Sequence, residues 1–181
     1  TVNGKKMTPK AYMTDELKLN PENYVDFMSL KEKPYWTQAE YDVPDNWWNS
    51  DVYYNVPLDD FVSIIKSSLK KGFSIAIGGD VSESGILGTK GVAVVPTYDI
   101  PSAYIDENAR QMRFSNGSTT DDHGVHMVGW ADKPNGTWFL IKDSGSSAHN
   151  NPVNKGYYYD HEDYVKLKMM SFTIHKDAVK E

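Results

Sequence analysis

The sequence predicts an α+β fold: one main helix packed on an antiparallel, barrel-like sheet, preceded by an irregular aromatic-rich strap. Three observations predict it. Residues 57–71, "PLDDFVSIIKSSLKK", put Leu58, Phe61, Val62, Ile65 and Leu69 at helical spacing on one face. From residue 73 onward, short β-rich runs follow one another between glycine, proline and asparagine turns. The chain has 181 residues, 39% hydrophobic and 13% aromatic, enough to bury a substantial core and too apolar for disorder. The domain organisation expected is a strap over residues 1–56 and a helix-plus-sheet lobe over residues 57–181.

Each element has its own local reason. The strap holds Tyr24, Phe27, Tyr35, Trp36, Trp47 and Trp48, which are costly to leave in water, so it is expected to lie over protein surface. Some of that surface is expected to lie outside this chain. The helix starts after Asn55 and Pro57, has Asp59 and Asp60 at the positive end of its dipole, and finishes at Lys70, Lys71 and Gly72. Strands are predicted at 73–78, 92–96, 123–130, 137–143, 156–160 and 168–176, with a short helical turn around "HEDYV". The "ADKPNG" between the third and fourth of these is a turn signal, read as a loop over 131–135.

Bulk properties exclude several functions. A formal net charge of -6 with interspersed signs argues against a nucleic-acid partner, which needs a basic stripe for phosphates. No apolar run reaches membrane-spanning length, so no membrane partner is expected. Without cysteine there are no disulfides and no thiolate metal sites, and the compartment stays open. Nothing in the sequence calls for a cofactor. The glycine-rich "GGDVSESG" and "GTKG" lack the ending of a phosphate loop and read as turns.

The chemistry concentrates at "TTDDHGVHMVGW" and "FLIKDSGSS". If Trp130 faces Gly136 across the loop, antiparallel numbering brings His123 opposite Asp143, with Cβ atoms about 5 Å apart. An acid there fixes the tautomer and orientation of the imidazole and leaves its other nitrogen to serve as a base. An ordinary half-buried histidine in a surface ion pair fits the same residues. A metal site from Asp121, Asp122, His123 and His126 ranks last, because His123 and His126 point to opposite faces of a strand. The catalytic reading lacks a nucleophile: there is no cysteine, and no serine sits in a recognisable nucleophile motif.

The run "DHGVHMVGW", then "WFLIKDSGS", then "GYYY", resembles the C-terminal half of papain-like cysteine peptidases. Within that group "YYNVPLDDFVSIIKSSLKKGFSIAIGGDVSESG", with "TPKAYM" and "ENYVDFMSL" before it, is most similar to the bleomycin hydrolase and aminopeptidase C branch. The resemblance implies a papain-like C-terminal lobe that supplies the histidine side of a two-lobed cleft. His123 is then the general base and Asp143 its orienter, with the nucleophilic cysteine on an N-terminal lobe upstream of Thr1. The partners implied are a peptide substrate, that missing lobe, and neighbouring subunits of a homo-oligomer. Asp80, in the branch's "GxDV" wall, becomes a candidate for substrate binding that also reads as a turn former, and Asp122, beside the histidine, is a further substrate-binding candidate. Asp143 stands where the family carries asparagine, and Gly145 where it carries a shielding tryptophan. Those departures leave a second reading, an inactive papain-fold domain kept for binding or assembly. The branch's extended C-terminal tail has no counterpart in "HKDAVKE", so aminopeptidase selectivity is not implied.

Overall fold

The computed structural model describes residues 1–180, and of Ser147 only the backbone. Its strands are β1 (Tyr24–Met28), β2 (Thr37–Ala39), β3 (Tyr53–Asn55), β4 (Ile75–Gly79) and β5 (Ile86–Leu87). They continue with β6 (Val92–Ala93), β7 (His123–Lys133), β8 (Gly136–Lys142), β9 (Tyr157–His161) and β10 (Met169–His175). They form one sheet in the order β2-β3-β1-β10-β4-β7-β8-β9-β6-β5. The pairings are antiparallel except β1 with β3 and β6 with β9.

The predicted helix is present as Leu58–Lys70. Its apolar face meets the inward residues of the sheet, among them Ile77, Met127, Phe139, Ile141 and Phe172, in one core cluster. Phe61 and Phe172 meet edge to face at 4.8 Å. Fully buried side chains of this kind each contribute about 1.5–3 kcal/mol, which fixes the helix to the sheet. The helix start is completed by Glu107, whose carboxylate accepts from the Leu58 N–H at 3.0 Å. Gly72, at φ +87°, ends it in the left-handed conformation that suits glycine.

Residues 1–56 hold more regular structure than an irregular strap. They contribute β1, β2 and β3, and β1 inserts between β10 and β3. Phe27 and Met28 are buried there, whereas Trp36, Trp47 and Trp48 are 65%, 80% and 59% exposed. Those three rings are therefore not covered by this chain.

A helix at Glu107–Ser115 has no apolar stripe to announce it; its buried residues are Arg110 and Arg113. Arg110 is fully buried, and its guanidinium donates to the carbonyls of Ser29, Lys166 and Met170 at 2.8, 2.7 and 3.1 Å. It also lies over the Phe61 ring. Burial lowers its pKa to about 10, so it remains a cation at neutral pH. Arg110→Met is expected to destabilise the intact protein by about 2–3 kcal/mol, because three buried carbonyls lose their donor together. Denaturant unfolding measures the loss, and an unchanged midpoint would show that those carbonyls find other donors.

The β7–β8 hairpin is tighter than the sequence suggested. Lys133 pairs with Gly136, so only Pro134 and Asn135 turn. A Cβ at Gly136 would stand 2.8 Å from His161 Nε2, and its φ of +122° also favours glycine. The register shifts between Met127 and Gly129, leaving Val128 as the extra residue of a bulge.

Candidate functional site

β4 and β7 end side by side, with Gly79 paired to His123. Gly79 has no room for a side chain, since a Cβ would come within 2.3 Å of the Lys168 carbonyl oxygen. Chain from both strands continues into a mutual clasp. Asp122 donates its N–H to the Gly79 carbonyl at 3.1 Å, and its Oδ1 accepts from the Val81 N–H at 3.0 Å. Asp80 reciprocates, its Oδ2 accepting from the Thr120 N–H at 3.0 Å. Asp80 is 3% exposed, while Asp122 is exposed.

His123 begins β7 and points to the face that carries buried Val125 and Met127, whereas His126 is exposed on the opposite face. Its Nε2 lies 2.7 Å from Asp143 Oδ1. The route to that contact differs from the sequence expectation. With His126 paired to Lys142, the register leads Asp143 to Val125, so His123 is its diagonal neighbour on the same face. An ionised carboxylate only accepts, so the neutral ring carries its hydrogen on Nε2 and leaves Nδ1 as the free lone pair. Among the described residues no hydrogen bond engages Nδ1.

Asp143 is held from three sides. Its N–H donates to the Gly156 carbonyl at 2.9 Å, and its Oδ1 also accepts from the Gly145 N–H at 2.8 Å. Its side chain is 5% exposed and that of His123 is 30% exposed. Gly145 packs directly on the carboxylate, where a Cβ would be 2.9 Å from Oδ2. No side chain from position 145 therefore shields the pair. Beside the pair a groove of about 470 Å³ runs past Gly124, Asp143, Lys142, Lys155 and Tyr157.

Sequence reasoning missed Asp160. On β9 it pairs with Phe139 and Ala93, it is 1% exposed, and neither carboxylate oxygen has a hydrogen-bond partner among the described residues. Burial, and next the charge of Asp143, push its carboxyl well above the usual range. Its place among tyrosines in "GYYYDHEDY" hides it, because an alternating strand gives no sign that this acid points inward. Asp121 is also raised by burial, with its Tyr41 neighbour opposing the shift. Among the described residues no three His, Cys, Asp or Glu side chains converge as metal ligands.

The arrangement can orient an imidazole and expose one basic nitrogen. The family model described as the Peptidase C1-like family matches residues 2–181. No curated protein matches the chain. Among solved structures, PepW from Lactobacillus rhamnosis HN001 superposes with a TM-score of 0.73 at 17% identity, over 97% of this chain and 40% of that chain. The chain thus spans less than half of that relative's length, and at this identity the likeness establishes the fold. With a family match running through both the His123 and Asp143 segments, the chain belongs to the Peptidase C1-like family and is a relative of the papain-like cysteine peptidases.

Proposed function

We propose that this chain is the histidine-bearing C-terminal half of a papain-like cysteine peptidase of the aminopeptidase and bleomycin hydrolase type. His123 is the general base, Asp143 its orienter, and the nucleophilic cysteine lies on a lobe outside these 181 residues. The observation that carries the reading is the 2.7 Å contact from Nε2 to Asp143, which commits one ring nitrogen and leaves Nδ1 for chemistry. Nδ1 takes the thiol proton, forming a thiolate–imidazolium pair. The thiolate attacks the peptide carbonyl, the imidazolium returns the proton to the leaving amine, and water then hydrolyses the acyl-enzyme with His123 again as base. The exposed Trp36, Trp47 and Trp48 and the 40% coverage of PepW support a further lobe or subunit against this chain.

The test is peptide hydrolysis by the intact gene product. The parent is expected to be active and blocked by thiol alkylation, and His123→Ala to lose activity while peptide binding persists. Activity that resists alkylation, or survives His123→Ala, would contradict the proposal. The isolated chain is expected to be inactive, since it contains no cysteine. One observation favours the second reading, a non-catalytic papain-fold domain: position 145 offers no side chain to cover the His123–Asp143 bond, whose imidazole is 30% exposed, and wetter hydrogen bonds are weaker.

A further inference from the structure

We infer that Asp80 is a positioning residue for His123, acting through the backbone and not through contact with substrate. The inference rests on the reading of His123 as the base. Every polar group of Asp80 is engaged inside the protein. Its N–H donates to the Lys168 carbonyl at 3.0 Å, and its own carbonyl accepts from the Tyr164 hydroxyl at 2.6 Å. Oδ1 accepts from both the N–H and the hydroxyl of Ser82, each at 2.9 Å, and Oδ2 accepts from the Thr120 N–H.

These bonds fall into two groups. The Oδ1 bonds are local and close the turn after β4. The Oδ2 bond crosses to the segment Thr120–Asp122, which leads directly into His123. Asp122 returns the tie by accepting from the Val81 N–H and donating to the Gly79 carbonyl. The residue before the imidazole is therefore fixed to the end of β4 from both directions. Tyr164, itself 1% exposed, anchors the Asp80 end to the core. Three of the roughly four acceptor sites of the Asp80 carboxylate are taken by the protein itself, and the residue is 3% exposed.

Asp80→Asn breaks the clasp at one of its two oxygens. The single amide oxygen cannot accept from both fixed donors, the Ser82 and Thr120 N–H groups, so the amide nitrogen opposes one of them, and the Ser82 hydroxyl, which can donate or accept, suits either orientation. Either orientation loosens the hold of Asp80 on the turn after β4 or on the segment that leads into His123. In the intact protein, Asp80→Asn is expected to lower kcat by about tenfold with KM unchanged, the usual signature of a displaced catalytic group. It is also expected to shift the His123 ring resonance in a histidine NMR spectrum. A raised KM with unchanged kcat would make Asp80 a substrate contact and overturn the inference, as would parent-like kinetics with an unmoved resonance. If Asp80→Asn does not fold, Tyr164→Phe removes the anchoring hydroxyl and is expected to lower kcat in the same direction; a parent-like kcat would overturn the inference. Should the parent hydrolyse no peptide, the peptidase reading fails by itself. The His123 resonance then still decides whether Asp80 positions the ring.

Discussion

Asp143→Ala is expected to lower kcat/KM for peptide hydrolysis by the intact protein by roughly 10²- to 10⁴-fold, whereas Asp143→Asn stays within about tenfold of the parent. The difference follows from one hydrogen bond. Oδ1 of Asp143 accepts from both His123 Nε2 and the Gly145 N–H, at 2.7 and 2.8 Å. In the asparagine variant, the Gly145 N–H selects the amide oxygen for that position, because an amide nitrogen there would oppose it. His123 then keeps its hydrogen on Nε2 and its lone pair on Nδ1. Alanine removes the acceptor altogether, and the ring is free to rotate or to adopt the other tautomer. Steady-state kinetics on one peptide measures both variants. If asparagine is as damaging as alanine, the charge of Asp143 matters more than its geometry, and the orienting role assigned to it is wrong.

Asp160→Leu is expected to raise the thermal unfolding midpoint at neutral pH and to flatten the fall of stability as pH rises above the ordinary carboxylate range. In the unfolded chain Asp160 ionises in the ordinary carboxylate range. In the fold, burial and the nearby charge of Asp143 keep its proton well above that range. Between those two points the folded state holds one proton more than the unfolded state, so stability falls as pH rises, by at most about 1.4 kcal/mol per pH unit. The contribution is fully present below the unfolded pKa and has been lost once the pH passes the folded one. Leucine matches the branching of aspartate, satisfies the surrounding Phe139 and Ala93, and has nothing to titrate. Melting the intact protein at about pH 5 and about pH 8 tests this. The gap between parent and variant should widen at the higher pH, and a constant gap would show that Asp160 does not change protonation on unfolding.

What the sequence made legible depended on how local each signal was. The Leu58–Lys70 helix was visible because its apolar face, capping acids and terminal glycine all lie within one stretch. β1, β2 and β3 were not, because burial does not alternate along them as it does along β4 and β9. The partner of β1, moreover, is β10 at the opposite end of the chain. The helix Glu107–Ser115 escaped because its inner face carries Arg110 and Arg113, which read as solvent-facing; the capping Asp106 in "IDENARQMRFS" was the available sign.

At the site, the meeting of His123 and Asp143 was read from a hairpin register that the structure does not have. Both strands continue to a two-residue turn, and the extra residue Val128 shifts the ladder. The two side chains still share a face, because diagonal neighbours on a sheet are as able to meet as directly opposed ones when the side chains are long enough. The engagement of Asp80 was not legible, since its partners Thr120, Tyr164 and Lys168 are far away in sequence. Asp160 was hidden for a different reason: an unpaired acid in a core contradicts the rule by which inward residues are recognised.

The central claim is that His123 serves a thiol contributed from outside this chain. The most direct measurement is the rate at which a thiol-directed reagent modifies the intact protein as a function of pH, in the parent and in His123→Ala. An ordinary cysteine reacts in step with a pKa of about 8.5, whereas a thiol paired with an imidazolium remains reactive well below neutrality. The account predicts rapid modification of one thiol in the parent down to about pH 5, and a profile in His123→Ala that retreats to the ordinary thiol range. Identical profiles in the two proteins would contradict it, and His123 would then be a structural residue held by Asp143.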